Sequence, residues 1–192
     1  LEKGFSVIDI QVLAPTKKGA TGTQNLNKIL QETINPPTGQ KKSVVHGSTV
    51  FRVRDKVMQI KNNYEKQVFN GEVGVIVRID PIFDDDGNEI ESIGVYVKFN
   101  GQEIVYSKDE LDQLVLAYAV TVHKSQGSEY PAVILVLTTH HYIMLARNIV
   151  YTAISRAKNF FVFIGSKKAL AIAVKNDTIK KRYTSLSTKL SE

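Results

Sequence analysis

The spacing of apolar positions along this chain changes period twice. Val7 to Leu13 of "FSVIDIQVLAPTKKGATGT" form an apolar run that predicts a buried strand, ended by Pro15 and the Gly19/Gly22 pair. In "TQNLNKILQETINPP", Leu26, Ile29, Leu30 and Ile34 fall at helical spacing, Thr23 can cap the start, and Pro36-Pro37 stops the helix. From about residue 49, short β-rich runs alternate with turns at Asn70-Gly71, Asp86-Gly87-Asn88 and Asn100-Gly101. Closely spaced short strands of this kind predict a small antiparallel barrel over residues 65–112, nested inside a larger domain. Residues 117–122 and 132–137 then read as buried strands. "HHYIMLARNIVYTAISRA" reads as a helix with Ile143, Ala146, Ile149, Val150, Ala153 and Ile154 on one side. "NFFVFIG" is a further strand and "SKKALAIAV" a short helix capped by Ser166. Long strands joined by helices predict an α/β domain around a mostly parallel sheet.

Composition narrows the class. The 192 residues are 43% hydrophobic and 23% charged, which suits a globular chain with a substantial core. A net charge of +6 and a sequence pI near 9.4 suit a phosphate-bearing partner, with a merely soluble basic protein as the equal alternative. Cysteine is absent, which excludes a disulfide framework and a thiolate zinc site and agrees with a reducing cytoplasm. No apolar run reaches the roughly 18 residues of a spanning helix, and no secretory signal is visible, so no membrane partner is expected. The chain opens on Leu1 rather than Met and reads as a piece of something longer.

The stretch "TVHKSQGSEYPAVILVL" sets polar residues between two apolar runs. In open α/β sheets ligands gather at the carboxyl ends of strands, and residues 123–129 are expected at such an end. Gly127 permits a tight turn and close approach to a ligand. Ser125, Gln126 and Ser128 offer neutral hydrogen-bonding groups, Lys124 a charge for phosphate, and Glu129 an acceptor for a sugar hydroxyl. A solvated βα turn explains the same residues equally well. The second motif is "VYTAISRAKN", in which Arg156 sits near a helix end just before a strand. Its planar, permanently charged fork suits developing charge on a transferred phosphoryl group, although a surface arginine in an i,i+4 pair is the ordinary reading.

In order and spacing, "TVHKSQGSEY" followed by "IVYTAISRAKN" resembles motifs V and VI of superfamily 1 helicases of the RecD/TraA type, like the exodeoxyribonuclease V alpha subunit. "IQVLAPTKKGATGTQNLNKILQETINP" resembles the start of that family's second RecA-like domain, and "FRVRDKVMQIKNNYEKQVFNGEVGVI" the entry to its inserted Src-homology-3-like barrel. The resemblance implies a RecA-like (P-loop NTPase-type) sheet with helices on both faces over residues 1–64 and 113–192, and the SH3-like insert over 65–112. It implies the C-terminal half of a 5′-to-3′ ATP-dependent DNA helicase or translocase, in the bacterial cytoplasm. Arg156 matches the arginine that reaches the γ-phosphate; Gly127 and Glu129 match positions approaching the nucleotide. Thr121, His123, Lys124 and Ser125 match strand-end positions facing single-stranded DNA, with Thr16 and Lys17 as weaker phosphate contacts. ATP and Mg²⁺ would be shared with a first RecA-like domain of the same polypeptide, and recombination or repair subunits would be further partners. The chain lacks both the G-x-x-x-x-G-K-[ST] loop and the acidic pair for Mg²⁺, so it is expected to be inactive alone.

Other signals are weaker. "DDDGNEIES" has Glu89 where a calcium loop needs glycine and reads as a hairpin tip. His140-His141 lack companion ligands and read as a loop or helix cap, and no metal site is expected. Among the aromatics, Phe69 and Phe99 are expected in the barrel core, and Tyr64, beside Asn62-Asn63, is the best base-stacking residue. Lys175, Lys180, Lys181 and Arg182 make a basic tail that either touches nucleic acid or is simply solvated. Two rivals remain: a non-catalytic nucleic-acid-binding module, and the equivalent half of a conjugative relaxase-helicase or an RNA helicase.

Overall fold

The computed structural model describes residues 4–39 and 41–177; the tail with Lys180, Lys181 and Arg182 lies outside them. In chain order the elements are β1 (Ile10–Ala14), α1 (Thr23–Ile34), β2 (Ser43–His46), β3 (Thr49–Arg52), β4 (Lys56–Gln59), β5 (Val73–Phe83), β6 (Glu89–Phe99), β7 (Gln102–Ser107), β8 (Leu114–Leu116), β9 (Ala119–Thr121), β10 (Tyr130–Leu137), α2 (Arg147–Ser155), β11 (Ala157–Gly165) and α3 (Lys167–Lys175). Four strands form a sheet in the order β11-β10-β1-β9, and every neighbouring pair is parallel. Five strands in the order β7-β6-β5-β4-β8 form an antiparallel sheet. That sheet takes in Lys56–Gln59 and Leu114–Leu116, on either side of the 65–112 span.

Each sheet has its own core. Leu13, Val133, Leu135 and Leu137 of the parallel sheet pack against Ile149, Val150 and Ala153 of α2 and Ala169 and Ala173 of α3. Phe51, Ile76, Val95, Val97, Phe99 and Tyr106 fill the second. The two are joined by short chain segments and by polar ties. Lys56 is buried, and its Nζ donates to the carbonyls of Ile8 (3.2 Å) and Ile10 (2.8 Å) at the entry to β1.

The helix α1 has the predicted extent but not the predicted buried face. Its N-cap is Gly22 rather than Thr23, and Ile29 is 53% exposed. The buried stripe is Thr23, Asn27 and Gln31. The cause is what α1 packs against. Strand β9 is a sheet edge, and the Asn27 amide closes it: Nδ2 donates to the Ala119 carbonyl (2.8 Å) and Oδ1 accepts from the Ala119 N–H (2.8 Å). One turn on, Gln31 and then Asn35 donate to the carboxylate of Asp55, which is fully buried.

Three other expectations change. Residues 7–9 form a 3-10 turn before β1. The predicted helix from His140 is split into a 3-10 segment (Thr139–Met144) and α2, leaving Ile143 93% exposed. Phe69 lies outside the barrel core and meets Tyr64 edge-on, with ring centroids 6.0 Å apart. The tip at 84–88 is a hairpin turn, in which Asp84 accepts the Asn88 N–H at 2.7 Å.

Candidate functional site

The residues 121–130 cross the height of the parallel sheet. Ala14 pairs with Thr121, so that residue stands at the carboxyl ends of β1 and β9. Tyr130 opens β10, pairs with Ala157 at the start of β11, and donates its N–H to the Arg156 carbonyl at 2.9 Å. Gly127, Ser128 and Glu129 therefore lie at the amino edge of β10, not at a carboxyl end as residues 123–129 were expected to. One short connection thus carries polar groups to both edges, and Gly127, at φ +84°, makes a turn that other residues rarely adopt.

At the carboxyl edge the loop builds a cationic corner. Thr16 and Lys17 follow β1, and His123 and Lys124 follow β9. Lys17, His123 and Lys124 are exposed. The Lys124 ammonium is held below the usual lysine range, by partial burial first and by the nearby Lys17 charge second. Two cations crowded together favour an anion between them. Thr121 and Ser125, also expected to face DNA, are buried. The Thr121 hydroxyl accepts the Lys124 N–H at 3.3 Å, and the Ser125 hydroxyl donates to the Val122 carbonyl at 2.7 Å. Both hydroxyls hold the turn that presents His123 and Lys124. Thr16 donates to the Lys18 carbonyl within its own loop, at 3.1 Å.

At the amino edge, Arg156 caps α2 and is half-buried. Its Nη1 donates to the Ser128 carbonyl (3.0 Å) and its Nη2 to the Ser155 hydroxyl (3.2 Å). Its Nε is buried with no acceptor, as is the hydroxyl of Tyr130, whose pKa burial pushes up. Among the described residues no carboxylate pairs with Arg156. Glu129 instead pairs with Lys158 at 3.1 Å, across two exposed side chains, which is a weak contact. A buried guanidinium nitrogen without an acceptor is an unmet donor, left over for an oxygen from outside the described residues.

The turn from β1 into α1 occupies the position at which a phosphate-binding loop enters a helix. Here the helix start is already filled. The Thr23 and Gln24 N–H groups donate to the Thr16 and Lys17 carbonyls, at 3.0 and 3.1 Å. Gly22 is what allows it, since a Cβ there would lie 2.3 Å from the Lys18 carbonyl oxygen. His141 fixes the loop from the other side: its Nδ1 accepts the Thr138 N–H (3.2 Å) and its Nε2 meets the Thr21 hydroxyl (3.0 Å). Burial and the neighbouring His140 hold its pKa below the usual imidazole value. No cluster of three or more His, Asp or Glu side chains suited to a metal occurs among the described residues.

A cleft of about 740 Å³ runs along the crossing segment from His123 to Tyr130, and its opposite wall is the antiparallel sheet, including Asn70, Glu72 and Asn100. The sequence marked Asn70-Gly71 and Asn100-Gly101 only as turns; their place beside the loop depends on tertiary packing that local spacing does not carry. Tyr64, 75% exposed, stands beyond this wall with Phe69. Tyr96 is occupied, with the Arg78 guanidinium 3.3 Å above its ring, and Tyr106 is buried.

A parallel sheet flanked by helices, joined to an antiparallel SH3-like sheet, is a fold similar to the RecA-like domains of superfamily 1 helicase structures. Residues 26–99 match the SH3 domain of ATP-dependent RecD-like DNA helicases, and residues 116–164 match the UvrD-like helicase C-terminal domain. Across these two segments the chain resembles the RecD-like DNA helicases. It is 38% identical over 164 residues to the ATP-dependent RecD2 DNA helicase of Deinococcus radiodurans, a match covering 85% of this chain and 21% of that protein. It is 25% identical to the RecBCD enzyme subunit RecD of Mycolicibacterium smegmatis, over 88% of this chain and 27% of that subunit. The chain thus spans about a fifth to a quarter of these relatives. A structure of two Pif1 helicases coordinating on forked double-stranded DNA shares the fold, with a TM-score of 0.54 at 17% identity over 98% of this chain and 45% of that one. No helix among the described residues is long and apolar enough to cross a membrane.

Proposed function

We propose that this chain is the C-terminal motor module of an ATP-dependent helicase that moves 5′ to 3′ along single-stranded DNA. The observation that carries this reading is the 121–130 segment, which joins a cationic corner at one sheet edge to the Arg156 guanidinium, bonded to the Ser128 carbonyl, at the other. In this reading the RecA-like domain is assigned to 1–64 and 113–192 and the barrel to 65–112, with Lys56–Gln59 and Leu114–Leu116 lending flanking strands to the barrel sheet. His123 and Lys124, with Lys17, face DNA phosphates; Tyr64 stacks on a base.

The residues present fit part of a nucleoside triphosphate site. Arg156, with its unpaired Nε, fits an anionic phosphate oxygen, and Gly127 leaves room for close approach. The start of α1 does not fit a phosphate, because its N–H groups are already taken. ATP and Mg²⁺ are therefore held mainly by a first RecA-like domain supplied by the rest of the polypeptide. Bound there, ATP supplies the hydrolysis that drives movement. Arg156 then stabilises charge on the transferred phosphoryl group from across the interface. A purified chain of this extent has no ATPase activity of its own in this account.

In the complete polypeptide, Arg156→Ala is expected to lower turnover about 10³–10⁵-fold, the usual cost of an absent arginine finger. Single-stranded DNA affinity should stay within about twofold, since the arginine lies at the opposite sheet edge from Lys124. Equal loss of turnover and DNA binding would give Arg156 a structural role.

A further inference from the structure

The two walls of the 740 Å³ cleft differ in chemistry. The wall made by the crossing segment begins with His123 and with Lys124, which has the Lys17 cation nearby, and ends at Glu129, whose carboxylate is paired with Lys158. The wall made by the antiparallel sheet contributes no cation. It presents Asn70, Glu72 and Asn100 beside Met58 and Val73. Asn70 lies in the turn before β5, anchored through its backbone N–H to the Asn62 amide oxygen at 2.9 Å. Asn100 lies in the β6–β7 turn with φ +46°. Both are exposed, and neither side-chain amide has a hydrogen-bond partner among the described residues. The carboxylate of Glu72 disfavours a phosphate on this wall by like charge.

We infer that the two asparagine turns read base edges of a single strand whose phosphates run along the opposite, cationic wall. This rests on the DNA-binding function proposed above and gives the strand an orientation: backbone toward Lys17 and Lys124, bases toward the barrel. An amide can donate and accept at once, which suits the edges of unstacked bases, whereas a phosphate only accepts. The cleft volume falls within the about 300–1,000 Å³ range of ligand sites. Val73, half-buried over the fully buried Met58, adds an apolar patch to this wall, and Phe69 of the exposed Tyr64–Phe69 pair immediately precedes Asn70 in the chain.

The test is a salt titration of binding by this chain to two oligonucleotides of equal length, one with bases and one abasic. The variants are Asn70→Ala/Asn100→Gly, where glycine tolerates the positive φ, and Lys17→Ala/Lys124→Ala; circular dichroism establishes that each is folded. The asparagine variant is expected to bind the base-bearing strand about tenfold more weakly, the loss of two hydrogen bonds. It should bind the abasic strand as the unmodified chain does, with an unchanged salt slope. The lysine variant should weaken on both strands, with the slope of log K against log salt reduced by about 0.7 for each phosphate that is no longer neutralised. The inference is overturned if the asparagine variant binds both strands unchanged, or weakens equally on both with a reduced slope. It is also overturned if that variant instead loses a binding response to Mg²⁺-ATP, which would assign the wall to the nucleotide. Absence of any single-strand binding by the unmodified chain would overturn the DNA-binding function itself, a different result from all of these.

Discussion

Asp55→Asn should unfold this chain far more readily than its single-atom chemistry suggests. Asp55 has no exposed surface and accepts four hydrogen bonds. Its Oδ1 takes the Asn35 amide (2.6 Å) and the Tyr118 hydroxyl (2.9 Å); its Oδ2 takes the Gln31 amide (2.6 Å) and the Arg52 N–H (2.7 Å). Exchanging Oδ2 for NH₂ sets a donor against two donors, and exchanging Oδ1 sets it against the Asn35 amide, leaving the Tyr118 hydroxyl to turn and accept. Leaving a buried donor unsatisfied costs about 1–3 kcal/mol, so two of them place the loss at about 2–6 kcal/mol. That is a large part of the about 5–15 kcal/mol that holds a typical domain together. The four donors come from α1 and its C-cap, from the end of β3, and from the residue leading into β9. The carboxylate therefore ties the barrel entry to the strand that delivers residues 121–130. Urea unfolding of Asp55→Asn, Tyr118→Phe and the double variant measures the coupling, which should be about 1–2 kcal/mol for groups in direct contact. A loss below about 1 kcal/mol for Asp55→Asn, with additive double-variant behaviour, would refute the account of Asp55 as a shared acceptor.

Lys56 gives a pH signature. Burial pulls its pKa from 10.5 down to about 8, so the folded chain releases this proton before the unfolded chain does. Stability should therefore rise between pH 8 and about 10.5, by up to about 3 kcal/mol at 1.36 kcal/mol per pH unit, and Lys56→Met should abolish the rise in urea midpoints. His141 acts at the other end of the scale. With its pKa lowered in the fold, the unfolded chain takes up the proton first, so stability falls as pH drops through about 6.5. Thermal melts of His141→Gln should lose that part of the acid slope, because no imidazole then has to give up the Thr138 N–H on charging. Gly22→Ala should cost about 1–3 kcal/mol in urea unfolding, since its Cβ would press on the Lys18 carbonyl and lift the loop from the start of α1.

Extent and kind of element were legible where punctuation was local. Pro36-Pro37 marked the end of α1, which starts at Thr23 itself rather than after it, and Ser166 capped α3 through the Ala169 N–H. The buried face of α1 was not legible, because hydrophobic spacing presumes an apolar target. Here the targets are an open strand edge and a carboxylate, so Asn27 and Gln31 turn inward while Ile29 turns out. The site motifs were legible as motifs, but their placement needed sheet order. Periodicity cannot tell that β9 and β10 flank β1 on opposite sides, and only that order makes residues 121–130 run from one sheet edge to the other. The same order separates the roles of neighbouring residues. Thr121 and Ser125 are drawn inward to hold the turn, while His123 and Lys124 are left outside. Both ends of the segment are pinned, Thr121 by its register with Ala14 and Tyr130 by the Arg156 carbonyl. Arg156 and Lys124 are therefore tied to the same parallel sheet at opposite edges, and the sheet is a mechanical link between them as much as the connection itself.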